Sequence, residues 1–328
     1  MKTTRTGQAG RATARACRAL ALAIALGGAA TPAAAQVRQE VLDYGLKARP
    51  LAPGVYVVEG ANADFSPANG CNIINTGFIV TRDGVLVVNT GTSRLYGEQL
   101  RALIARTTDR PVAAVLHLNL HPDYFLGNQA FADVPRLATA ATRAGIAAES
   151  AAYESNLYRL CGDWMRGTET LAPDADFDPQ VRAGRWRLGE REFDLVELRG
   201  HTDSDLVVVD RTSGVAFVGG LVFAERIPTT PHAQIGAWLA SLERLRGLGL
   251  KTVVPSHGPV HDDGRGLDGT QRYLRWLDDQ FGRAAAEGLE MNELLRAPVP
   301  DEFRRWAAFE TEYVRNVAHL YPRYERAA

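Results

Sequence analysis

The sequence lacks an excess of charge of either sign, with 37 basic and 38 acidic residues among 328. Five of the basic residues and none of the acidic ones lie in residues 1–35, so 32 basic residues face 38 acidic ones in the rest of the chain. A protein that binds nucleic acid is expected to carry a basic surface. This balance therefore predicts a protein without a nucleic-acid partner.

An apolar run long enough to anchor the chain in a bilayer is also missing, because the run from Ala19 to Ala30 is too short. It follows a basic segment that ends at Arg18, and it precedes small residues and then Gln36. This order is typical of a secretory signal peptide, although an Ala-rich cytosolic tail is the alternative. We predict that residues 1–35 are removed, that no membrane span remains, and that the protein is periplasmic.

Cysteine is scarce, because only Cys71 and Cys161 remain once Cys17 leaves with the signal peptide. A single pair in an oxidising compartment permits one disulfide. Such a bond requires Cα atoms within about 7 Å, a distance that the sequence does not fix. Two buried thiols are therefore the alternative.

The remaining chain has no short tandem repeat and no low-complexity segment, and apolar periodicity divides it into strands and helices. Strands followed by a helix and a further strand occur in both halves. This order predicts an α/β protein, a four-layer αββα sandwich formed by residues 36–265, with residues 266–328 as a helical C-terminal extension packed on the same domain. The predicted strands are 54–59, 73–81, 85–89, 112–118, 185–188, 193–198, 206–210, 215–218 and 252–254, and the predicted helices are 95–107, 138–160, 235–248 and most of 269–328.

Polar residues follow several of the predicted strands. Loops at the ends of the strands of a rigid sheet can bring such side chains into one cleft. The segments are His117-Leu118-Asn119-Leu120-His121-Pro122-Asp123-Tyr124, Gly200-His201-Thr202, Val218-Gly219-Gly220-Leu221 and Pro255-Ser256-His257-Gly258. We therefore expect His121, Asp123, His201 and His257 to converge.

In their order and spacing these segments resemble the metallo-β-lactamase superfamily, whose motifs are H-x-H-x-D-H, G-H-T, G-D and G-H-G. The resemblance covers about residues 50–265 and implies the αββα sandwich and a zinc-dependent hydrolase. Within the superfamily, the chain is similar to the quinoprotein relay system zinc metallohydrolases, which are periplasmic. The similar segments are GCNIINTGF, HPDYFLGNQAF, CGDWMRGTE, PTTPHA, SHGPV and RNVAHLYPRYER.

The match is incomplete at the metal-binding positions of the superfamily. His121, Asp123, His201 and His257 match, Asn119 and Tyr124 replace two histidines, Gly220 replaces the bridging aspartate, and Asn89 replaces a supporting aspartate. Zinc prefers about four ligands from imidazole, thiolate and carboxylate, whereas an amide is a poor ligand and a phenol must first lose a proton with a pKa near ~10. With Asp123 as the single anionic ligand, two cations are disfavoured. The resemblance therefore implies one zinc ion or none.

Accessory ligands are expected among His117, Asn119 and His232. His117 and Asn119 share a strand face with His121 if the strand continues that far, and His232 follows a later strand in a loop that can reach the cleft. The alternatives are a buried core histidine for His117 and a capping or loop histidine for His232. For the four matched residues, the alternative is a remnant site held by hydrogen bonds without metal.

Two functional hypotheses follow. In the first, the protein is a hydrolase with at most one zinc ion that acts on an ester, thioester, lactone or amide. Asp123 is then expected to orient a metal-bound water, and Tyr124 to donate a hydrogen bond to the oxyanion. In the second, it is a metal-free, catalytically inactive binding or accessory protein of a periplasmic quinoprotein or sulfur-oxidation system. The expected partners are a small-molecule substrate and, from the resemblance, a periplasmic redox protein.

Overall fold

The protein contains two β-sheets that pack face to face and carry helices on their outer faces. The structure is a computed structural model and describes residues 42–327; the predicted signal peptide, residues 1–35, lies outside the described residues. The alternating side chains of each strand point to opposite faces, so one face of a sheet meets the other sheet and its second face meets helices. The predicted four-layer αββα sandwich is confirmed.

The first sheet has seven strands in sequence order. They are β1 (Arg49–Ala52), β2 (Val55–Val58), β3 (Thr76–Thr81), β4 (Gly84–Val88), β5 (Val112–Leu116), β6 (Arg136–Ala138) and β7 (Ala175–Asp176). Strands β1 to β4 pair antiparallel, and β4 to β7 pair parallel. Because parallel strands end at the same edge of a sheet, the loops after β4 and β5 lie side by side.

The second sheet has five strands. They are β8 (Arg185–Leu188), β9 (Arg191–Leu198), β10 (Asp205–Asp210), β11 (Val215–Phe223) and β12 (Thr252–His257). Their spatial order is β12-β11-β10-β9-β8, with antiparallel pairing except between β11 and β12, which are parallel. The last residues of that parallel pair, Phe223 and His257, lie opposite each other.

The helices form the outer layers and the C-terminal extension. They are α1 (Arg94–Thr107), α2 (Pro122–Phe125), α3 (Ala140–Cys161), α4 (Asp178–Ala183), α5 (Ile235–Arg246), α6 (Arg265–Ala286), α7 (Met291–Leu294), α8 (Asp301–Arg304) and α9 (Phe309–Glu325). Hydroxyl side chains start the two long helices beside the first sheet: Ser93 accepts a hydrogen bond from the backbone of Tyr96, and Thr139 from that of Thr142. None of the helices in residues 42–327 is long and apolar enough to cross a membrane.

Strand β4 shows how the layers are held together. Its residues Leu86 and Val88 pack between the two sheets, whereas Val85 and Val87 pack against α1 on the outer face. On the second sheet the outer core is shared by β11, α5, α6 and α9, so the C-terminal helices bury their apolar faces with that sheet. Each large apolar side chain buried in this way contributes about 1.5–3 kcal/mol to the free energy of unfolding.

Cys71 and Cys161 are joined by a disulfide, with their Cα atoms 6.0 Å apart. The bond connects the loop before β3 to the last residue of α3. Phe65 and Leu157 lie in the same small apolar cluster. Of the two alternatives that the sequence left open, the structure therefore contains the disulfide.

Two predicted strand ends were wrong, and both errors affect the site. Strand β5 ends at Leu116, and Pro122 begins α2, so the segment between them does not continue the strand and the inferred common face of His117, Asn119 and His121 does not exist. Strand β11 does not end at residue 218 but continues to Phe223, which places Gly220 inside the strand. A Gly-Gly pair favours a turn, but here Gly219, with a φ of 54°, forms an irregularity in the pairing with β12, and the strand continues beyond it.

Candidate functional site

The candidate site lies where loops from both sheets meet at one edge. The loop after β5 carries His121 and Asp123, the loop after β9 carries His201, and β12 ends at His257. Asn89, just after β4, holds the first of these loops in place, because its Oδ1 accepts a hydrogen bond from the backbone N of Leu118 at 3.1 Å. The sheets therefore bring the side chains of three distant segments together.

His121 and His201 form one pair, with ring centroids 4.5 Å apart. Burial is the main cause that lowers the pKa of His121 well below its usual range, and the neighbouring His201 and His232 add to it, so His121 is neutral. Among the described residues its buried Nε2 has no hydrogen-bond partner. This nitrogen is available to a ligand.

Asp123 and His257 form the second pair, with His257 Nε2 and Asp123 Oδ2 3.6 Å apart. Nδ1 of His257 lies 2.8 Å from the carbonyl oxygen of Ile73 and donates to it, which leaves Nε2 as the acceptor on the side of Asp123. Burial raises the pKa of Asp123 to about 7 and lowers the pKa of His257 well below its usual range. Near neutral pH the carboxyl of Asp123 is therefore partly protonated, whereas His257 is neutral.

His201 occupies the space beside Gly220. A Cβ atom at position 220 would lie 2.7 Å from Cγ of the His201 ring and closer still to its Nδ1, which no real Cβ tolerates. Nδ1 of His201 lies 3.4 Å from Asn119 Nδ2 and 3.5 Å from Asp205 Oδ1, and Nε2 lies 3.3 Å from Thr229 Oγ1. Both ring nitrogens of His201 thus face polar groups of the protein. Its imidazole occupies the space that the absence of a side chain at position 220 leaves.

Asn119 and Tyr124 have structural roles at this site that do not involve a metal ion. Oδ1 of Asn119 accepts a hydrogen bond from the backbone N of His121 at 3.0 Å and so shapes the loop. Tyr124 packs in the core between the sheets, and burial raises its pKa well above the usual range. The phenol therefore stays protonated and keeps a hydrogen to donate.

His117 and His232 differ in their distance from the site. Nδ1 of His117 lies 3.1 Å from the carbonyl oxygen of Tyr124, and burial lowers the pKa of this histidine to about 4. It is a buried core histidine. His232 lies at the site, because its ring centroid is 5.4 Å from that of His121 and its Nε2 is 3.3 Å from the hydroxyl of Tyr153.

Several site residues carried no recognisable signal in the sequence. Tyr153 on α3 and Phe65 before the disulfide form walls of a small pocket, and Thr229 contacts His201. Arg226 is fully buried behind the site. A buried arginine and a contact between distant loops produce no periodicity and no motif, so the sequence analysis did not identify these residues.

A pocket opens beside the His121–His201 and Asp123–His257 pairs and has a volume of about 130 Å³. Its floor is formed by His121, Asp123 and His257. Its walls are mainly apolar, with an amide and a hydroxyl at the rim, and consist of Phe65, Ile73, Pro122, Tyr153, Asn156, Thr229 and Pro231. Mainly apolar walls with a few convergent polar groups are typical of a site for a small molecule.

The model of the metallo-beta-lactamase superfamily matches residues 69–257, more than half of the chain. The chain belongs to the metallo-β-lactamase superfamily. The predicted resemblance is thus confirmed at the level of the superfamily, whereas the similarity to the quinoprotein relay system zinc metallohydrolases stays a prediction. Among curated proteins no sequence matches significantly.

Solved structures of superfamily members share the fold. A metallo-beta-lactamase from Pontibacter korlensis is 22% identical, with a TM-score of 0.57, and the alignment covers 70% of this chain and 99% of that protein. TMB-1 is 18% identical, with a TM-score of 0.53, over 71% of this chain and 98% of that protein. At these identities the comparison establishes the fold and leaves the substrate open.

The donor groups of this superfamily member do not fit a metal pair. Within residues 42–327, no group of three or more His, Cys, Asp or Glu side chains is arranged to hold a metal ion. Position 220 has no room for a bridging carboxylate while His201 keeps its place, and Tyr124 is a neutral phenol. The prediction of one zinc ion or none, and the ligand roles of His121, Asp123, His201 and His257, remain predictions.

Proposed function

We propose that this superfamily member binds a small organic molecule in the pocket above His121, Asp123 and His257, without a metal ion. The observation that carries the proposal is the position of His201, whose ring fills the space that a side chain at position 220 would need. A bridging carboxylate is what offsets two divalent charges in the superfamily, so Gly220 in its place removes both a ligand and a negative charge.

The pocket encloses about one ring of a ligand. A cavity of roughly 150 Å³ holds benzene, and this pocket measures about 130 Å³. Phe65, Tyr153 and Pro231 offer apolar and aromatic contacts to such a ring. A drug-sized molecule or a peptide would extend beyond these walls.

The floor of the pocket favours a neutral ligand that has one hydroxyl or carbonyl group. Nε2 of His121 is buried, neutral and unpartnered among the described residues, so it forms one hydrogen bond with a group of either kind, depending on the tautomer. Asp123 lines the pocket and is partly ionised near neutral pH, while His257 is neutral, so a carboxylate ligand would meet a negative charge on the floor. We therefore expect phenols, cyclic alcohols and cyclic ketones to bind better than carboxylates of the same size.

Binding is tested by titrating phenol, cyclohexanol, cyclohexanone and benzoate into the mature chain and following protein NMR shifts. We expect dissociation constants on the order of 0.1–1 mM for the neutral compounds, unchanged by a chelator. Asn156→Trp blocks the pocket rim and abolishes binding, whereas Ser155→Trp on the same exposed helix surface leaves it intact. Binding of none of these compounds, or ester hydrolysis that stops on chelation, would contradict the proposal and favour the hydrolase.

We also propose that the protein acts in the periplasm, with a redox protein there as the expected macromolecular partner. The disulfide between Cys71 and Cys161 supports an oxidising compartment. The basic, apolar and small-residue order of residues 1–35 supports export.

A further inference from the structure

Arg226 follows β11 and is a fully buried cation. Its Nε donates to the carbonyl oxygen of Ala63 at 3.1 Å and its Nη1 to that of Ile227 at 3.5 Å, whereas its Nη2 lies 3.6 Å from Glu312 Oε1, too far for a hydrogen bond. Taking a guanidinium out of water is costly and is offset only by good partners. These contacts offset only part of the cost of burying the guanidinium, which indicates that Arg226 has a role other than packing.

The guanidinium lies directly behind the candidate site. Its central carbon is 5.8 Å from the centroid of the Phe223 ring. The other contacts of that ring include His257, with centroids 4.9 Å apart, and His201, with centroids 5.4 Å apart. One aromatic ring therefore separates the buried positive charge from two of the residues that match metal ligands.

Nearby carboxylates compensate this charge incompletely. Glu312 is bound more closely by Arg315, whose Nη1 lies 2.8 Å from Glu312 Oε1 and 3.0 Å from Asp64 Oδ1. Glu312 is therefore shared between two guanidinium groups, and only the one from Arg315 is within hydrogen-bond distance. Of the two guanidinium groups, the one of Arg226 lies against Phe223 beside the site.

We propose that Arg226 supplies the fixed positive charge of this site in place of the metal ions of other superfamily members, and that it thereby keeps divalent cations away from His121, Asp123 and His257. The inference rests on the metal-free site of the proposed function. A unit charge and a divalent ion repel each other across one aromatic ring, because a buried site screens charges less than water does. The missing ligands weaken metal binding, and the charge of Arg226 weakens it further.

The test compares zinc and cobalt binding to four metal-stripped proteins: the native chain, Glu312→Gln, Arg226→Lys, and the double variant Arg226→Gln/Glu312→Gln. Isothermal titration gives the affinity for Zn²⁺, and visible absorption of Co²⁺ reports protein ligands. The double variant removes the whole ion pair and keeps donor and acceptor groups. A fifth protein, the double variant Arg226→Met/Glu312→Met, replaces the pair by apolar side chains, an exchange that proteins often tolerate at buried ion pairs.

We expect either folded double variant to bind Zn²⁺ about tenfold tighter than Glu312→Gln, or more, with a cobalt spectrum that the native chain lacks. Arg226→Lys retains the charge and should behave like the native chain. Equal affinities in the double variants and Glu312→Gln, or tight binding by Arg226→Lys, would overturn the role of Arg226. Tight zinc binding by the native chain would instead refute the metal-free proposed function, so the two failures are distinguishable.

Discussion

At the scale of single residues, the absence of a side chain at position 220 determines where the imidazole of His201 lies. Gly220 is inside β11, so the backbone cannot turn aside to make room for a larger residue. The ring of His201 occupies that room and contacts Asn119, Asp205 and Thr229 instead of open space. Restoring the superfamily aspartate at 220 therefore requires that His201 move first.

Gly220→Asp should lower the free energy of unfolding by about 3 kcal/mol or more, because the new Cβ overlaps the His201 ring. Gly236→Asp is the matched control, since a Cβ there meets nothing within 4 Å in the first turn of α5, and it should change stability by less than about 0.5 kcal/mol. Adding His201→Ala to Gly220→Asp should recover much of the loss. Urea unfolding measures all three, and equal stability of the two single variants would contradict the packing described.

His117 should make the protein sensitive to mild acid. Burial lowers its pKa from 6.5 to about 4, so the stability it contributes is present above pH 6.5 and is lost as the pH falls toward 4. By pH 4.5 the loss from this one group is about 2–3 kcal/mol. Urea unfolding at pH 7.5 and pH 4.5 should therefore show a smaller decrease for His117→Asn than for the native chain. Parallel decreases in the two proteins would show that His117 does not titrate as described.

At the scale of elements, the walls of the pocket depend on two segments that the disulfide joins. Phe65 lies in the loop that leads to Cys71, and Tyr153 lies on α3, which ends at Cys161. The joined residues are 90 positions apart, so the bond restricts a large loop of the unfolded chain. The bond also holds α3, which carries Tyr153, against the loop that carries Phe65.

Replacing both cysteines by alanine should lower the free energy of unfolding by about 2–4 kcal/mol. It should also weaken binding of one-ring compounds, because Phe65 and Tyr153 lose their common support. Urea unfolding and the NMR titration measure the two effects, with the native chain under reductant as the matched control. An unchanged unfolding free energy would mean that the bond contributes nothing to this fold.

At the scale of the whole molecule, the sequence was sufficient for the layered fold but not for the site. Apolar periodicity in strands such as β4 and helices such as α1 predicts the layers, because each element must bury one face. The direction of the chain after Leu116, the extension of β11 through Gly220 and the burial of Arg226 depend on neighbours that are distant in sequence. Local patterns carry no information about such contacts.

Export concerns the whole chain as well. The order of the first 35 residues predicts cleavage after Ala35, and a disulfide at Cys71 and Cys161 is expected to form after transport. N-terminal sequencing of protein from the native host should begin at Gln36, and the two cysteines should resist alkylation without reductant. An intact Met1 with free thiols would place the protein in a reducing compartment.

The central claim is that this superfamily member keeps the fold but binds no catalytic metal. Its most direct test is the zinc content of the unmodified mature protein, measured by elemental analysis after equilibration with excess zinc and removal of loosely held ions by gel filtration. The position of His201, the neutral Tyr124 and the charge of Arg226 predict well under one zinc ion per chain. One or two tightly held zinc ions per chain would contradict the account.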